Sequence, residues 1–367
     1  MKISDFQVHR FCLPLTRSIR LGQRAVRERK GLIAVVCNQN GSAAAGEVSP
    51  LPGFSRETAD DAEEQLVRLK ALITGSEIPE GLEALCGGFE IWLGELELAP
   101  SVRFGFEAAV LQLLAAERRV RLCELLCERP LEAISVNALL SGPQETVLAQ
   151  AGRLLARGYT AFKLKVGREP VAQDIALVQH LAALLEGRAI VRLDANRAWH
   201  PDQALAFFAG VADVAIDYIE EPVRTFADLV QLLKVPEMTA ALAIDESLRS
   251  LAPADLSTLS GIKAVVLKPT LLGFEKAMRF ARAAHKAGMI AVMSSSFETG
   301  VGLRILAQMA AGLGGRDVPV GLDTRRWFAS DLLNTSFEVV QGRLDIAGLG
   351  TGLGDIRPGL LEAVDEQ

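Results

Sequence analysis

From residue 133 onward, short apolar runs alternate with longer amphipathic stretches in a regular beat. The runs are ISVNALL (134–140), AFKLKVG (161–167), AIVRLDAN (189–196), DYIEEPV (217–223), ALAIDES (241–247), AVVLKPT (264–270), MIAVMSSS (289–296) and VPVGLDT (318–324). Their starts fall 23 to 29 residues apart. Helical periodicity fills the gaps, as in QDIALVQHLAALLEG (173–187) and FEKAMRFARAAHKAG (274–288), the second closed by a glycine stop signal. Eight such units predict an α/β fold, a closed parallel (β/α)8-like barrel ringed by helices. An open doubly wound sheet is the alternative, weakened because no dinucleotide fingerprint or P-loop accompanies the units.

The first hundred residues follow another pattern. ISDFQVHRF and LIAVVCNQNGSAAAGEVS read as antiparallel strands and DDAEEQLVRLKALITG (60–75) as a helix. The expected organisation is an α+β capping domain over 1–100, a barrel over 101–325, and a segment 326–367 that returns to the cap. Within that last segment, FEVVQGRLDI (337–346) reads as a strand of the cap rather than of the barrel.

Composition narrows the function. Of 367 residues, half are hydrophobic, and the formal net charge is −6. That balance gives no reason to expect a nucleic-acid or membrane partner. Five cysteines form no CxxC pair, and Cys123 and Cys127 lie in an apolar helical pattern, which favours buried thiols over disulfides or zinc. The opening MKISDFQVHRF lacks the apolar core of a signal peptide, and no apolar run approaches a membrane span. These features predict a cytoplasmic protein; oligomeric state is left open.

Polar residues gather at the C-terminal ends of the runs, where barrels of this kind open onto a shared mouth. Lys163 and Lys165 share one face of the second run, with Phe162, Leu164 and Val166 on the other. Arg192, Asp194 and Asn196 share one parity on the third. Asp194, Glu220 and Asp245 sit 26 and 25 residues apart, one per consecutive run. Neighbouring strands lie about 4.8 Å apart, so these three can converge on one ion. A single such acid reads best as a helix cap or a salt-bridge partner; three in consecutive runs read as a site. All-oxygen ligation without histidine or cysteine suits a hard divalent cation, foremost Mg²⁺. Lys268 of the sixth run lies across that ion from the lysine pair. Mutual repulsion and burial would lower one lysine from about 10.4, leaving a neutral amine as base. Metal, base and opposite cation are the parts needed to remove a proton α to a carboxylate.

KLK (163–165), RLDANRAW (192–199), IEEP (219–222), DES (245–247), LKPT (267–270), SSSFE (294–298) and GLDT (321–324) together resemble the enolase superfamily, in its muconate-lactonizing-enzyme-like subgroup, and within it the o-succinylbenzoate synthase family. The resemblance implies a modified TIM barrel, (β/α)7β, under an α+β cap. It implies Asp194, Glu220 and Asp245 as ligands of Mg²⁺, with Mn²⁺ as a substitute, Lys165 as base, Lys268 facing it and Lys163 supporting it. Arg192 and Asn196 would line the site. The implied reaction is a syn dehydration of 2-succinyl-6-hydroxy-2,4-cyclohexadiene-1-carboxylate, a small dianionic carboxylate, to 2-succinylbenzoate through a metal-stabilised enediolate, on the route to menaquinone or phylloquinone.

Rival readings share parts of this layout. N-succinylamino acid racemases also use two opposed lysines. Dipeptide epimerases typically carry Asp-x-Asp near the eighth strand, where this chain has Asp323-Thr324-Arg325. A non-catalytic barrel is disfavoured by the complete set of lysines and acids. RSIRLGQRAVRERK (17–30) holds six basic residues; it reads either as a surface stripe or as a cap loop, with Arg20 and Arg24, that closes over the dianion. Ser294, Ser295 and Ser296 are candidate partners for the succinyl carboxylate, or for loop backbone.

Overall fold

The computed structural model describes residues 1–21, 24–94, 96–236, 238, 240–349 and 353–364, and at 20, 21 and 24 the backbone alone. Strands β1 (Ile3–Leu21), β2 (Arg24–Asn38) and β3 (Ala43–Val48) form an antiparallel meander. Helices α1 (Ala59–Ile73), α2 (Gly88–Trp92), α3 (Pro100–Glu117) and α4 (Leu122–Leu126) follow. Thr58 starts α1 with a capping box, donating to and accepting from Asp61.

The continuous apolar run of β2 has a physical cause: both faces of the sheet are covered. Leu32, Ala34 and Val36 join the main core beneath the helices, while Ile33 and Val35 pack with Leu271, Val301, Phe328 and Leu332. The cap is therefore seated on two barrel helices, at Leu271 and Val301, and on the chain's last segment through apolar contact. Helix α3 crosses β3 with almost no gap. A Cβ at Gly46 would lie 1.8 Å from the Gly105 carbonyl oxygen, so this crossing requires glycine.

The barrel strands are β4 (Ala133–Ser135), β5 (Ala138–Leu140), β6 (Ala161–Lys165), β7 (Ile190–Asp194), β8 (Tyr218–Glu220), β9 (Leu242–Ile244), β10 (Ile262–Leu267) and β11 (Ile290–Met293). Seven of them, β5 to β11, form one parallel sheet in chain order. Helices α5 (Gln144–Ala156), α6 (Val171–Leu185), α7 (Pro201–Gly210), α8 (Phe226–Leu232), α9 (Pro269–Leu272), α10 (Phe274–Lys286) and α11 (Gly300–Gly312) lie between and after them.

The expected eighth strand at 318–324 differs from a regular one. Val320 bridges Val136, and Gly321 bridges Ser294, so two single bridges close the ring between β11 and the β4–β5 run. Pro319 has no N–H to extend the ladder and Gly321 no side chain to pack, which accounts for its brevity. Strand β12 (Arg343–Asp345), inside the stretch expected to join the cap, pairs antiparallel with β4 of the barrel instead. The return to the cap is made by β13 (Glu362–Ala363), at the edge beside β1.

Alternation decides what each barrel strand presents. Phe162, Leu164, Val191 and Leu193 face the helices. Tyr218, Ala243, Ala264, Val266 and Val292 form a separate packed plug inside the ring. One step further along each strand, toward its C-terminal end, the plug gives way to Glu220, Asp245, Lys268 and Ser294.

Candidate active site

Above the plug and the charged layer that follows it lies a cavity of about 1420 Å³ between barrel and cap. Lys163, Lys165, Asn196, Lys268, Ser294 and Ser295 line its barrel side; Arg17, Ile19, Leu51, Phe54 and Arg56 line it from the cap.

Register places the charged groups side by side. Lys165 is the Cα partner of Asp194, and Asp194 of Glu220. The Lys163 ammonium lies between two carboxylates, 2.8 Å from Asp194 and 2.7 Å from Glu220. Lys165 Nζ donates to Asp194 Oδ2 and Asn196 Oδ1, both at 2.6 Å. Lys268 is paired with Asp245. Asp194 and Glu220 are fully buried and Asp245 nearly so.

Burial and charge then separate the lysines. Lys165 is pulled below its ordinary value, first by burial and then by the ammonium charges of Lys163 and Lys268, against the pull of Asp194. Lys163 is carried the other way: Asp194 and Glu220 outweigh its burial. Lys268 also moves up, held by Asp245 and Glu246 against its burial. Glu220, buried and crowded by Asp194 and Asp245, is raised well above the usual carboxylate range. Asp194 is held low because three lysines overcome its burial. Lys165 is thus the lysine best able to lose a proton.

The fit of a divalent cation is read from these donors. Asp194, Glu220 and Asp245 supply buried carboxylate oxygens at the ends of three adjacent strands, with no histidine or cysteine beside them. Among the described residues, no group of three or more acidic, histidine or cysteine side chains stands ready as a closed ion cage. Instead, Lys163 and Lys268 ammonium groups lie against the acids. The donor chemistry fits a hard cation once those ammonium groups turn toward the cavity. Glu221 cannot take Glu220's part. Its backbone is left-handed (φ 42°), and its carboxylate accepts from Asp245 N, Ser247 N, Ser247 Oγ and Arg197 Nε.

Several expected site residues lie elsewhere. Arg192 shares parity with Asp194 but sits two residues deeper, below the floor. It donates to Asp217 Oδ2 at 2.9 Å, also reaches the Pro319 carbonyl, and covers the Tyr218 ring. Ser296 is turned into the protein; its backbone N–H goes to Glu298 and its buried hydroxyl has no partner among the described residues. Ser295 lines the cavity but its hydroxyl is shared by Glu298 and Thr324. The side chains of Arg20 and Arg24 fall outside the described residues. The five cysteines are unpaired, with Cys123 buried and Cys127 half-buried.

Arg17 belongs to the basic stretch 17–30, whereas Arg56 and Arg249 carried no local signal. Arg17 stacks on Trp327 at 4.1 Å, and Arg249 donates to the Phe54 carbonyl at 2.6 Å. Arg17 and Arg56 reach the cavity only because the cap docks there. Glu246 was visible beside Asp245. Its Oε1 takes Asn196 Nδ2, its Oε2 is buried without a partner, and burial raises it to about 7.

Residues 146–356 match the enolase C-terminal domain-like family and residues 3–113 the MenC N-terminal domain. An o-succinylbenzoate synthase of Klebsiella pneumoniae is 33% identical over 91% of this chain and 94% of its own. The chain belongs to the o-succinylbenzoate synthase family of the enolase superfamily. Another member, from Salmonella heidelberg, is 36% identical over 87% of this chain and 90% of its own. The fold also matches a dipeptide epimerase from Methylococcus capsulatus, complexed with Mg and the dipeptide L-Arg-D-Lys. That match has a TM-score of 0.81 and 28% identity, covering 94% of this chain and 97% of the other. Membership of the o-succinylbenzoate synthase family makes the protein an enzyme of the lyase class. Among the described residues, no helix is long and apolar enough to cross a membrane.

Proposed function

We propose that the protein dehydrates 2-succinyl-6-hydroxy-2,4-cyclohexadiene-1-carboxylate to 2-succinylbenzoate, with Asp194, Glu220 and Asp245 holding Mg²⁺ or, in its place, Mn²⁺. The observation that carries this reading is the opposition of Lys165 and Lys268 at the floor of one cavity, each paired with a different one of the three acids. When bound, the cation supplies positive charge at the substrate carboxylate and so acidifies the adjacent proton. Lys165 Nζ takes that proton and returns one to the departing hydroxyl on the same face, which accounts for syn geometry. Lys268 Nζ, cationic throughout, stabilises the enediolate from the opposite side. Lys163 stays protonated, and its positive charge helps keep Lys165 neutral. Asn196 Oδ1 orients Lys165.

The cationic rim of Arg17, Arg56 and Arg249 supports a dianionic substrate, one charge at the floor and one at the succinyl end. Opposed lysines also favour a second activity of the same site, racemisation of N-succinylamino acids. Turnover of the cyclohexadiene substrate, followed by product absorbance, is expected to vanish on chelation and to return with Mg²⁺. Equal rates with and without a chelator would defeat the metal assignment, and no turnover of fresh substrate by metal-loaded protein would defeat the proposal.

A further inference from the structure

Beneath the loop that follows β11 lies a buried polar network that the chemistry above leaves unused. The Glu298 carboxylate is fully buried and accepts from Thr270 Oγ1 at 2.6 Å, Ser295 Oγ at 2.8 Å and Ser296 N at 2.7 Å. Thr270 lies two residues after Lys268, in the single helical turn α9 for which Lys268 is the N-cap. Ser295 in turn shares a hydrogen bond with Thr324 beside the eighth segment. One carboxylate therefore ties together the loops after β10 and β11 and the segment that closes the barrel.

The cap grips the same loop. Arg29 of β2 is 1% exposed and spends its guanidinium on carbonyls of two domains. It donates to Pro50 and Ser49 at 2.8 and 2.9 Å on the cap side, and to Phe297 at 3.1 Å on the barrel side. Phe297 has a left-handed backbone (φ 61°), a conformation that holds only where its surroundings impose it. Ser49 and Pro50 lead directly into the cap loop that brings Leu51, Phe54 and Arg56 to the cavity. Glu47 completes the junction by accepting from Thr299 N, Thr299 Oγ1 and Gly302 N at the start of α11.

We infer that Glu298 and Arg29 are positioning residues that fix Lys268 against the seated cap: Arg29 locks cap loop 49–56 to barrel loop 296–297, and Glu298 transmits that lock through Thr270 to the Lys268 turn. The inference rests on the proposed dehydration for its kinetic consequence, while its structural part stands without turnover. Neither residue lines the cavity. A disturbed Glu298–Thr270 link therefore acts on the rate constant, because Lys268 serves the transition state, and leaves ground-state binding nearly unchanged.

The test uses Thr270→Val, Glu298→Gln and Arg29→Lys in the full chain. Steady-state kinetics are combined with amide hydrogen exchange at Leu271 and Gly273, whose N–H groups close the Lys268 turn. Thr270→Val is expected to lower kcat about tenfold with KM within twofold. Glu298→Gln is expected to lower it further, and the double variant to lose less than the product of the two effects. Exchange at 271 and 273 should rise in all three single variants, including Arg29→Lys, whose substitution lies in the other domain. Unchanged exchange in Arg29→Lys, or parent kcat in Thr270→Val and Glu298→Gln, overturns the inference. A parent that never turns over, yet shows the exchange coupling, defeats the proposed reaction and supports the lock.

Discussion

At the residue scale, the account turns on depth as well as direction. The two lysines of AFKLK were legible because strand alternation puts them on one face, and the structure lines both on the cavity. The same rule misplaced Arg192, because parity fixes which face a side chain leaves from but not how far along the barrel it lies. Arg192 belongs to the layer of Tyr218, beneath Glu220, where it shares Asp217 with Lys263. Arg192→Met is therefore expected to cost about 3 kcal/mol of stability, since a buried ion pair loses one partner. KM should remain within twofold of the parent. Urea denaturation beside steady-state kinetics checks this, and a raised KM with unchanged stability would return Arg192 to the substrate site.

At the element scale, three buried glutamates hold helix starts across the cap–barrel junction. Glu47 accepts from the first turn of α11, Glu107 from Glu275 N in α10, and Glu275 from Gly87 N ahead of α2. No periodicity announces such contacts, since each glutamate sits in one element and serves another far away in the chain. Strand and helix positions were legible from local pattern; the closing of the barrel by only Val320 and Gly321 was not, because it depends on which edges meet. Burial raises Glu107 to about 7 and Glu47 to about 6. A raised carboxyl binds its proton more tightly folded than unfolded. Its contribution is complete below the unfolded value near 4.5 and is lost as pH rises through 7. From pH 5 to pH 8 the parent should lose about 3 kcal/mol through Glu107, which Glu107→Gln does not lose. Thermal melts at the two pH values read the difference, and parallel pH dependence in both proteins would refute the assignment.

At the scale of the whole molecule, composition and site point in opposite directions. The chain carries a formal charge of −6, yet its cavity is rimmed by Arg17, Arg56, Arg168 and Arg249 over the lysines of the floor. Electrostatic attraction of a dianion should make kcat/KM fall several-fold between about 50 and 300 mM salt, chiefly through KM. A flat salt profile would mean that the rim takes no part. Recurring strand-end motifs made the barrel floor readable. The cap's share was unreadable, because Phe54 and Arg56 acquire a role only when the sheet docks through Ile33, Leu271 and Phe328.

The central claim is that Lys165 moves the proton while Lys268 stabilises the charge it leaves. Its most direct test measures dehydration by Lys165→Ala and Lys268→Ala under metal saturation, with folding and metal binding verified for each. Both variants are predicted to lose at least about 10²-fold in kcat. Substantial dehydration by folded, metal-loaded Lys165→Ala would contradict the account.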